Sequence, residues 1–310
     1  MGPQDVRRMQ ELAVTVAGQH PERIVNDATV GELAWVYGKD HVALGDTWRH
    51  RLWVEDGDVV AWGWAYLPYR VLRSDGKENG TTVAQLSWQV HPERSALLDD
   101  VIDWFESETE GLTREVTPQV PDTDAVTRWK AHGYEVDEPA AAADGFWHQV
   151  NSRDLVDLPE PKLPPGHKFR TAVDAGPEGV VRAHVDAWHP SSYTDQAYAG
   201  VRTMWPYRED LHLLVEAPDG TLVSSAILWF DEQNRTVEFE PVGTHREYRR
   251  QGLSAALLLQ GMHVARAAGA EQAIVACLGG EAHPAARALY YGVGFQPYTQ
   301  DFPMRKAAKS

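Results

Sequence analysis

The order of features on either side of a proline-rich midpoint most constrains what this chain can fold into. Residues 154–166 read DLVDLPEPKLPPG, with four prolines and no apolar period, the composition of a linker. On either side, residues 51–66 and 211–230 each hold two apolar runs around a tight turn, at Gly57 and Gly220. A further strand follows in each half, ending at Val90 and Thr244, and then a histidine and a helical pattern. In the second half Leu253, Ala256, Leu257, Gly261, Val264 and Ala268 keep helical spacing, which predicts a helix from near Gly252 to Gly269. Residues 272–278 read as a buried strand, and residues 283–295 as a short helix closing on Gly294 and Phe295. Residues 124–134 end the first half in the same way. Such alternation around a mixed sheet gives an α/β (α+β) class, present twice. The expected domains are 1–153 and 166–310, with a linker at 154–165.

Composition narrows the function. The 310 residues carry 29 Lys and Arg against 45 Asp and Glu, a net charge of −16 that would repel a phosphate backbone, so no nucleic-acid partner is expected. Residues 1–155 hold 14 basic against 27 acidic side chains, while residues 156–310 hold 15 against 18. The second half is therefore the one that could hold an anionic cofactor without a large opposing field. Twelve Trp and 43% hydrophobic residues suffice for a core in each half. No run approaches the roughly 18 apolar residues of a membrane helix and the start lacks a secretory core, so a cytoplasmic protein without a membrane partner is expected. The single Cys277 excludes an intrachain disulfide and reads as a small buried hydrophobe. The thirteen His include no metal-spaced pair, and no metal is expected.

Residues 238–258 carry the chemistry. A buried strand there runs into a loop with Arg246, Arg249, Arg250, Gln251 and Gly252, which opens a helix. Free N–H groups at a helix N-terminus bind phosphate, and a glycine allows its close approach. The spacing is neither that of a P-loop nor of a dinucleotide fold. At Arg249-Arg250-Gln251-Gly252-Leu253-Ser254 the sequence resembles the GNAT superfamily of acetyl-coenzyme A dependent N-acyltransferases, whose signature is [QR]-x-x-G-x-[GA]. A second motif, N-x-x-A-x-x-L-Y-x-x-x-G-F, is matched by Ala286, Leu289, Tyr290, Gly294 and Phe295, with His283 in place of Asn. The resemblance covers residues 166–305. The first half is similar to the same fold, but residues 89–93 pass through Arg94 straight into a helix. The offset between halves is 154 residues at Val90 and Thr244 but 161 at Gly133 and Gly294, so about seven residues are missing where a phosphate loop would stand. Trp129 occupies the place of Tyr290. The expected architecture is thus two tandem GNAT-like domains, each a mixed, mostly antiparallel sheet flanked by helices, the first without coenzyme A. Tandem arrangements of this kind are known in the family, mycothiol synthase among them.

The resemblance implies acetyl-CoA held by Val242, Gly243 and Thr244 on the strand, by Arg249, Arg250, Gln251, Gly252, Leu253, Ser254 and Ala255 at the loop, and by His283 and Arg287. It places a general acid at Tyr290. Alternation puts Glu238 and Glu240 on one face of their strand, and Glu238 lies where several family members carry a catalytic glutamate. Either could serve as base, or both could be paired or solvated. Residues 186–210 occupy the position of the helices that line acceptor clefts. Their Trp188, Tyr193, Trp205, Tyr207 and Asp210 suit a cationic amine, and would equally pack against the first half. The reading is an N-acetyltransferase acting on a primary amine: an aminoglycoside or basic peptide antibiotic, which would give antibiotic resistance, or a polyamine-like metabolite. The alternatives are a non-catalytic acyl-CoA-binding module and a mycothiol synthase-like enzyme. Monomer and homodimer both remain open.

Overall fold

A computed structural model describes residues 1–24, 26–281 and 284–308. The first half starts with helices α1 (Pro3–Gln19) and α2 (Val30–Leu44), followed by the hairpin β1 (Trp48–Glu55) and β2 (Asp58–Tyr66). A small ribbon of β3 (Tyr69–Leu72) and β4 (Glu78–Thr81) precedes β5 (Ala84–Val90), α3 (Leu97–Glu108) and β6 (Arg114–Val116). Then come α4 (Thr123–Ala131), β7 (Glu135–Val136), the single turn α5 (Glu138–Ala141) and β8 (His148–Asp154). Residues 155–167 contain no helix or strand, as the prolines predict.

The second half repeats the order with β9 (Lys168–Thr171), α6 (Ala172–Ala187), α7 (Asp195–Val201), the hairpin β10 (His212–Glu216) and β11 (Leu222–Asp231), and β12 (Thr236–Thr244). It continues with α8 (Leu253–Ala267), β13 (Gln272–Leu278), α9 (Pro284–Gly292), β14 (Gln296–Gln300) and β15 (Met304–Lys306). The helix expected from Gly252 to Gly269 is therefore α8, capped by Gly252. No helix among the described residues is long and apolar enough to cross a membrane.

The sheets do not follow the linear division at residue 153. Their orders are β1-β2-β5-β6-β15-β7 and β14-β8-β13-β12-β11-β10-β9, so the last strand of each half lies in the other half's sheet. Strand β8 pairs antiparallel with β13 along seven residues and with β14 on its other edge. Strand β15 lies between β6 and β7. Each sheet keeps one parallel pair, β5 with β6 and β12 with β13, and in each that pairing stops after three residues.

The two halves also share a core. Val6, Leu33, Trp35 and Trp64 of the first half belong to one buried cluster with Val180, Tyr198, Leu214 and Trp229 of the second. At its centre α2 crosses α7 at two glycines: a Cβ on Gly200 would run into the Gly38 carbonyl oxygen, and one on Gly38 would stand 2.7 Å from the Val201 Cα. The nearest atoms on each side are backbone, so the contact cannot be relieved by turning a side chain alone. A Gly200→Val substitution is expected to cost at least the 1–3 kcal/mol or so of ordinary overpacking, seen as a lowered midpoint in urea.

Candidate active site

Strand β12 departs from β13 after Glu238, opposite Ile274. Beyond that point its residues 239–244 bond only to β11 on the other side, leaving one backbone edge open. Val242, Gly243 and Thr244 are on this stretch, with partners Ala226, Ser225 and Ser224. A bulge sets in at Glu240 and Pro241, which together oppose Ile227. Alternation fixes the side on which Glu238 points, and the bulge then re-aims the residues beyond it.

The loop after β12 is built to receive an anion. Arg250 and Gly252 both have left-handed backbones, at φ 65° and 80°, so consecutive N–H groups turn to one side. Ala256 is the first residue of α8 whose N–H bonds back, to the Gly252 carbonyl at 3.0 Å, so the N–H groups of Leu253, Ser254 and Ala255 have no helical acceptor. A Cβ on Gly252 would meet nothing within 4 Å, so there is open space in front of the loop. The donor set and the space fit a pyrophosphate.

The side chains expected at the cofactor divide into two groups. Arg250 and Gln251 are exposed at the loop. Arg249, also exposed, is tied to the backbone: its Nε donates to the Thr244 carbonyl at 3.1 Å and its Nη2 to the Ala187 carbonyl at 3.1 Å, bracing the loop. Ser254 Oγ lies 2.5 Å from Thr244 Oγ1, which also meets Ser224 Oγ at 2.8 Å, so this small residue ties helix to strand. Arg287 donates to the Gly279 carbonyl. His283 lies outside the described residues.

In the first half the corresponding segment has no such loop. Ser95 and Ala96 are already helical, and the first turn of α3 carries Asp99 and Asp100, which would repel phosphate. Trp88 and the fully buried Trp129 meet behind it at 5.9 Å between ring centroids.

Glu238 and Glu240 meet different surroundings. Glu238 reaches the N-terminus of α2, taking a hydrogen bond from Thr29 Oγ1 at 2.7 Å and from the Gly31 N–H at 3.0 Å. Gly31 permits this, since a Cβ there would stand 2.5 Å from Glu238 Oε2. Desolvation outweighs those bonds and pushes the Glu238 carboxyl up to about 8. Glu240 makes no side-chain hydrogen bond or ion pair with a described residue; only its carbonyl is engaged, by Trp229 Nε1 at 2.5 Å. Desolvation lifts its carboxyl to about 7, with Lys39 and His148 pulling the other way. Tyr290 is buried beside it, its hydroxyl held well above its ordinary value by desolvation and by the charges of Glu240 and Cys277. Cys277 is buried, its thiol 3.4 Å from Asn151 Nδ2 and pushed up by desolvation.

The aromatic residues expected to line an acceptor cleft do not converge on one space. Trp188 stacks on His184 at 4.3 Å and Tyr193 stacks on Trp35 of the first half at 5.5 Å. Tyr207 bonds to Tyr198 at 2.8 Å and to His212 at 3.0 Å. Trp205 lies under the Arg7 guanidinium at 3.5 Å, and Asp210 pairs with Arg208 at 2.6 Å. Tyr193 and Trp205 thus pack against the first half, while Trp188, Tyr207 and Asp210 are taken up within the second. The residues that do surround Glu240 and went unread are Glu32, Lys39 and His148. One sign was available, because Thr29-Val30-Gly31-Glu32 has capping-box spacing and starts α2. Among the described residues no group of three His, Cys, Asp or Glu is placed to hold a metal ion.

A sheet whose parallel pair stops after three residues stands twice in this chain, and in the second half it opens beside an anion-binding helix start. Residues 179–295 match the acetyltransferase (GNAT) family, so the second half carries a GNAT acyltransferase domain. Among solved structures it is similar to a tandem GNAT protein from the clavulanic acid biosynthesis pathway, at TM-score 0.63 and 16% identity over 100% of this chain and 98% of the other. It is also similar to a GCN5-related N-acetyltransferase from Sphaerobacter thermophilus, at TM-score 0.58 and 20% identity over 99% and 93%. A GCN5-related N-acetyltransferase from Kribbella flavida aligns at TM-score 0.51 and 14% identity over 89% and 96%. No functionally curated protein matches the sequence.

Proposed function

We propose that the chain transfers an acetyl group from acetyl-CoA to a primary amine of a cationic small molecule, at one site in its second half. The observation that carries this reading is the open edge of β12, with Glu240 and Tyr290 on the divergence and the Gly252 loop at its end. Bound acetyl-CoA would supply the acyl group as an activated thioester. The N–H groups of residues 252–255 would hold its pyrophosphate, and the free backbone edge at Val242–Thr244 its pantetheine amides.

The amine must be neutral to attack. Glu240, unpaired and poised at about 7, takes the proton that the attacking nitrogen loses as the C–N bond forms. Tyr290, whose hydroxyl stays protonated far above neutrality, donates its proton to the sulfur as the C–S bond breaks. Glu238 is occupied on the α2 N-terminus and serves in this scheme to seat the first half against the site. A cationic acceptor is favoured by the excess of acidic residues in the first half. The missing loop there supports one cofactor site per chain.

Titration of acetyl-CoA by calorimetry tests this, with Gly252→Asp beside the parent. A side chain at φ 80° costs about 1–2 kcal/mol of strain, which the fold can absorb, while its carboxylate enters the space that the phosphate needs. The expected result is one site per chain, lost in the variant with its unfolding still cooperative. Two sites would overturn the account of the first half, and no binding to the parent would overturn the transferase reading.

A further inference from the structure

A cavity of about 440 Å³ lies between α2 and the first half's sheet, with His148 of β8 and Pro303 and Met304 from the chain's end also on its wall. Five carboxylates line it, those of Asp27, Glu32, Asp40, Glu115 and Asp137, and neither Lys nor Arg does. Four of the five have partners: Asp27 with Asn26 at 3.1 Å, Asp40 with Lys39 at 3.1 Å, and Glu115 and Asp137 with Arg305, each at 3.9 Å. Glu32 has none. Its carboxylate, half-buried on the cavity wall, makes no hydrogen bond or ion pair with a described residue. Desolvation, followed by the charges of Glu240, Asp27 and Glu238, raises its carboxyl well above the ordinary range. The one imidazole on the wall, His148, is itself taken up by Asp301 at 2.9 Å.

Two unpartnered carboxylates, Glu32 from the first half and Glu240 from the second, therefore act on each other, offset by Lys39 and, at Glu240, by His148. Such repulsion is relieved by a cation arriving from outside. The partly exposed rings of Tyr66 and Tyr69 on the same walls offer π-faces to an alkylammonium stem. The volume is in the range of a small-molecule site.

We infer that this cavity is a binding site for the distal cationic nitrogen of an elongated di- or polyamine acceptor, held by Glu32, while the nitrogen to be acetylated lies at Glu240. The inference rests on the transferase reading above and adds the acceptor's second charge and its location. The degenerate half then supplies the specificity that the active half lacks, since the side chains of residues 188–210 are spent on packing.

Steady-state acetylation of spermidine and of 1,8-diaminooctane is compared with that of octylamine, in the parent and in Glu32→Gln. The expected result is a KM at least about tenfold lower for the two polycations in the parent. In Glu32→Gln that preference collapses, with acetyl-CoA affinity unchanged. Equal KM values in the parent, or an undiminished preference in the variant, would overturn the inference while leaving the transferase reading intact. Absence of acetyl-CoA binding would instead overturn the transferase reading. Should Glu32→Gln not fold, binding of spermidine to the parent by calorimetry at low and at high salt decides. Micromolar binding that weakens steeply with salt supports the site, and no heat at low salt overturns it.

Discussion

Replacing Glu240 by Gln is expected to lower kcat by about 10²–10⁴-fold, the usual worth of a positioned general base, without weakening acetyl-CoA binding. The sign of the pH dependence comes from the lifted carboxyl. A base works only when deprotonated, so kcat/KM in the parent should rise with pH through about 7, the value at which Glu240 ionises, and then level off. Glu240→Gln removes that limb together with the rate. Glu238→Gln is expected to do something different, because Glu238 already accepts from Thr29 and Gly31. An amide offers one oxygen where the carboxylate offered two, so one buried donor loses its partner, at about 1–3 kcal/mol of stability. The rate and its pH limb should persist. A raised carboxyl also has a signature in stability: between the ordinary 4.5 and about 8 the folded protein binds more protons at Glu238 than the unfolded chain. That contribution is present at low pH and is lost as pH rises through about 8. A rate limb near 8 that disappears in Glu238→Gln would transfer the base to Glu238.

What the sequence disclosed and what it withheld have physical causes. The hairpins at Gly57 and Gly220, the strand ending at Thr244 and the helix opened by Gly252 are local patterns, set by residues within a few positions of one another, and each is an element of the structure. The helix α6 left a weaker trace, because Gly176 and Pro177 interrupt its period and regular helical geometry resumes only beyond a kink at Gly176. The neighbours of Glu240 were illegible for another reason. Glu32 and Lys39 are more than 200 positions away in the chain, and they come to β12 because α2 packs against it and Glu238 holds its N-terminus. No spacing rule reports such a contact. The aromatic residues between 188 and 210 were legible as a cluster but not as to purpose, since stacking on a ligand and stacking on Trp35 call for the same side chains.

The exchange of end strands gives the other large effect. The linker at 155–167 holds no regular structure, so a protease site placed there should be cut readily while the sheets stay intact. Two domains joined only by that linker would then separate. In this topology the cut leaves β8 between β13 and β14 and β15 between β6 and β7, so each fragment carries a strand of the other's sheet. Strand β8 is anchored by side chains as well as by its ladder: Asn151 is fully buried and donates to the Val275 carbonyl at 3.2 Å, and Val150 is buried beside it. The shared cluster around Trp35, Trp64 and Trp229 adds apolar area at the boundary that neither fragment could leave in water. The cleaved protein is therefore expected to elute as one particle of the parent's size and to unfold in one transition. The fragments should separate only in denaturant. Acetyl-CoA binding should survive the cut, yet be missing from residues 166–310 produced alone, because β13 and β14 then face each other across the gap that β8 fills. Separate elution of the two fragments under native conditions would show that the halves are independent domains.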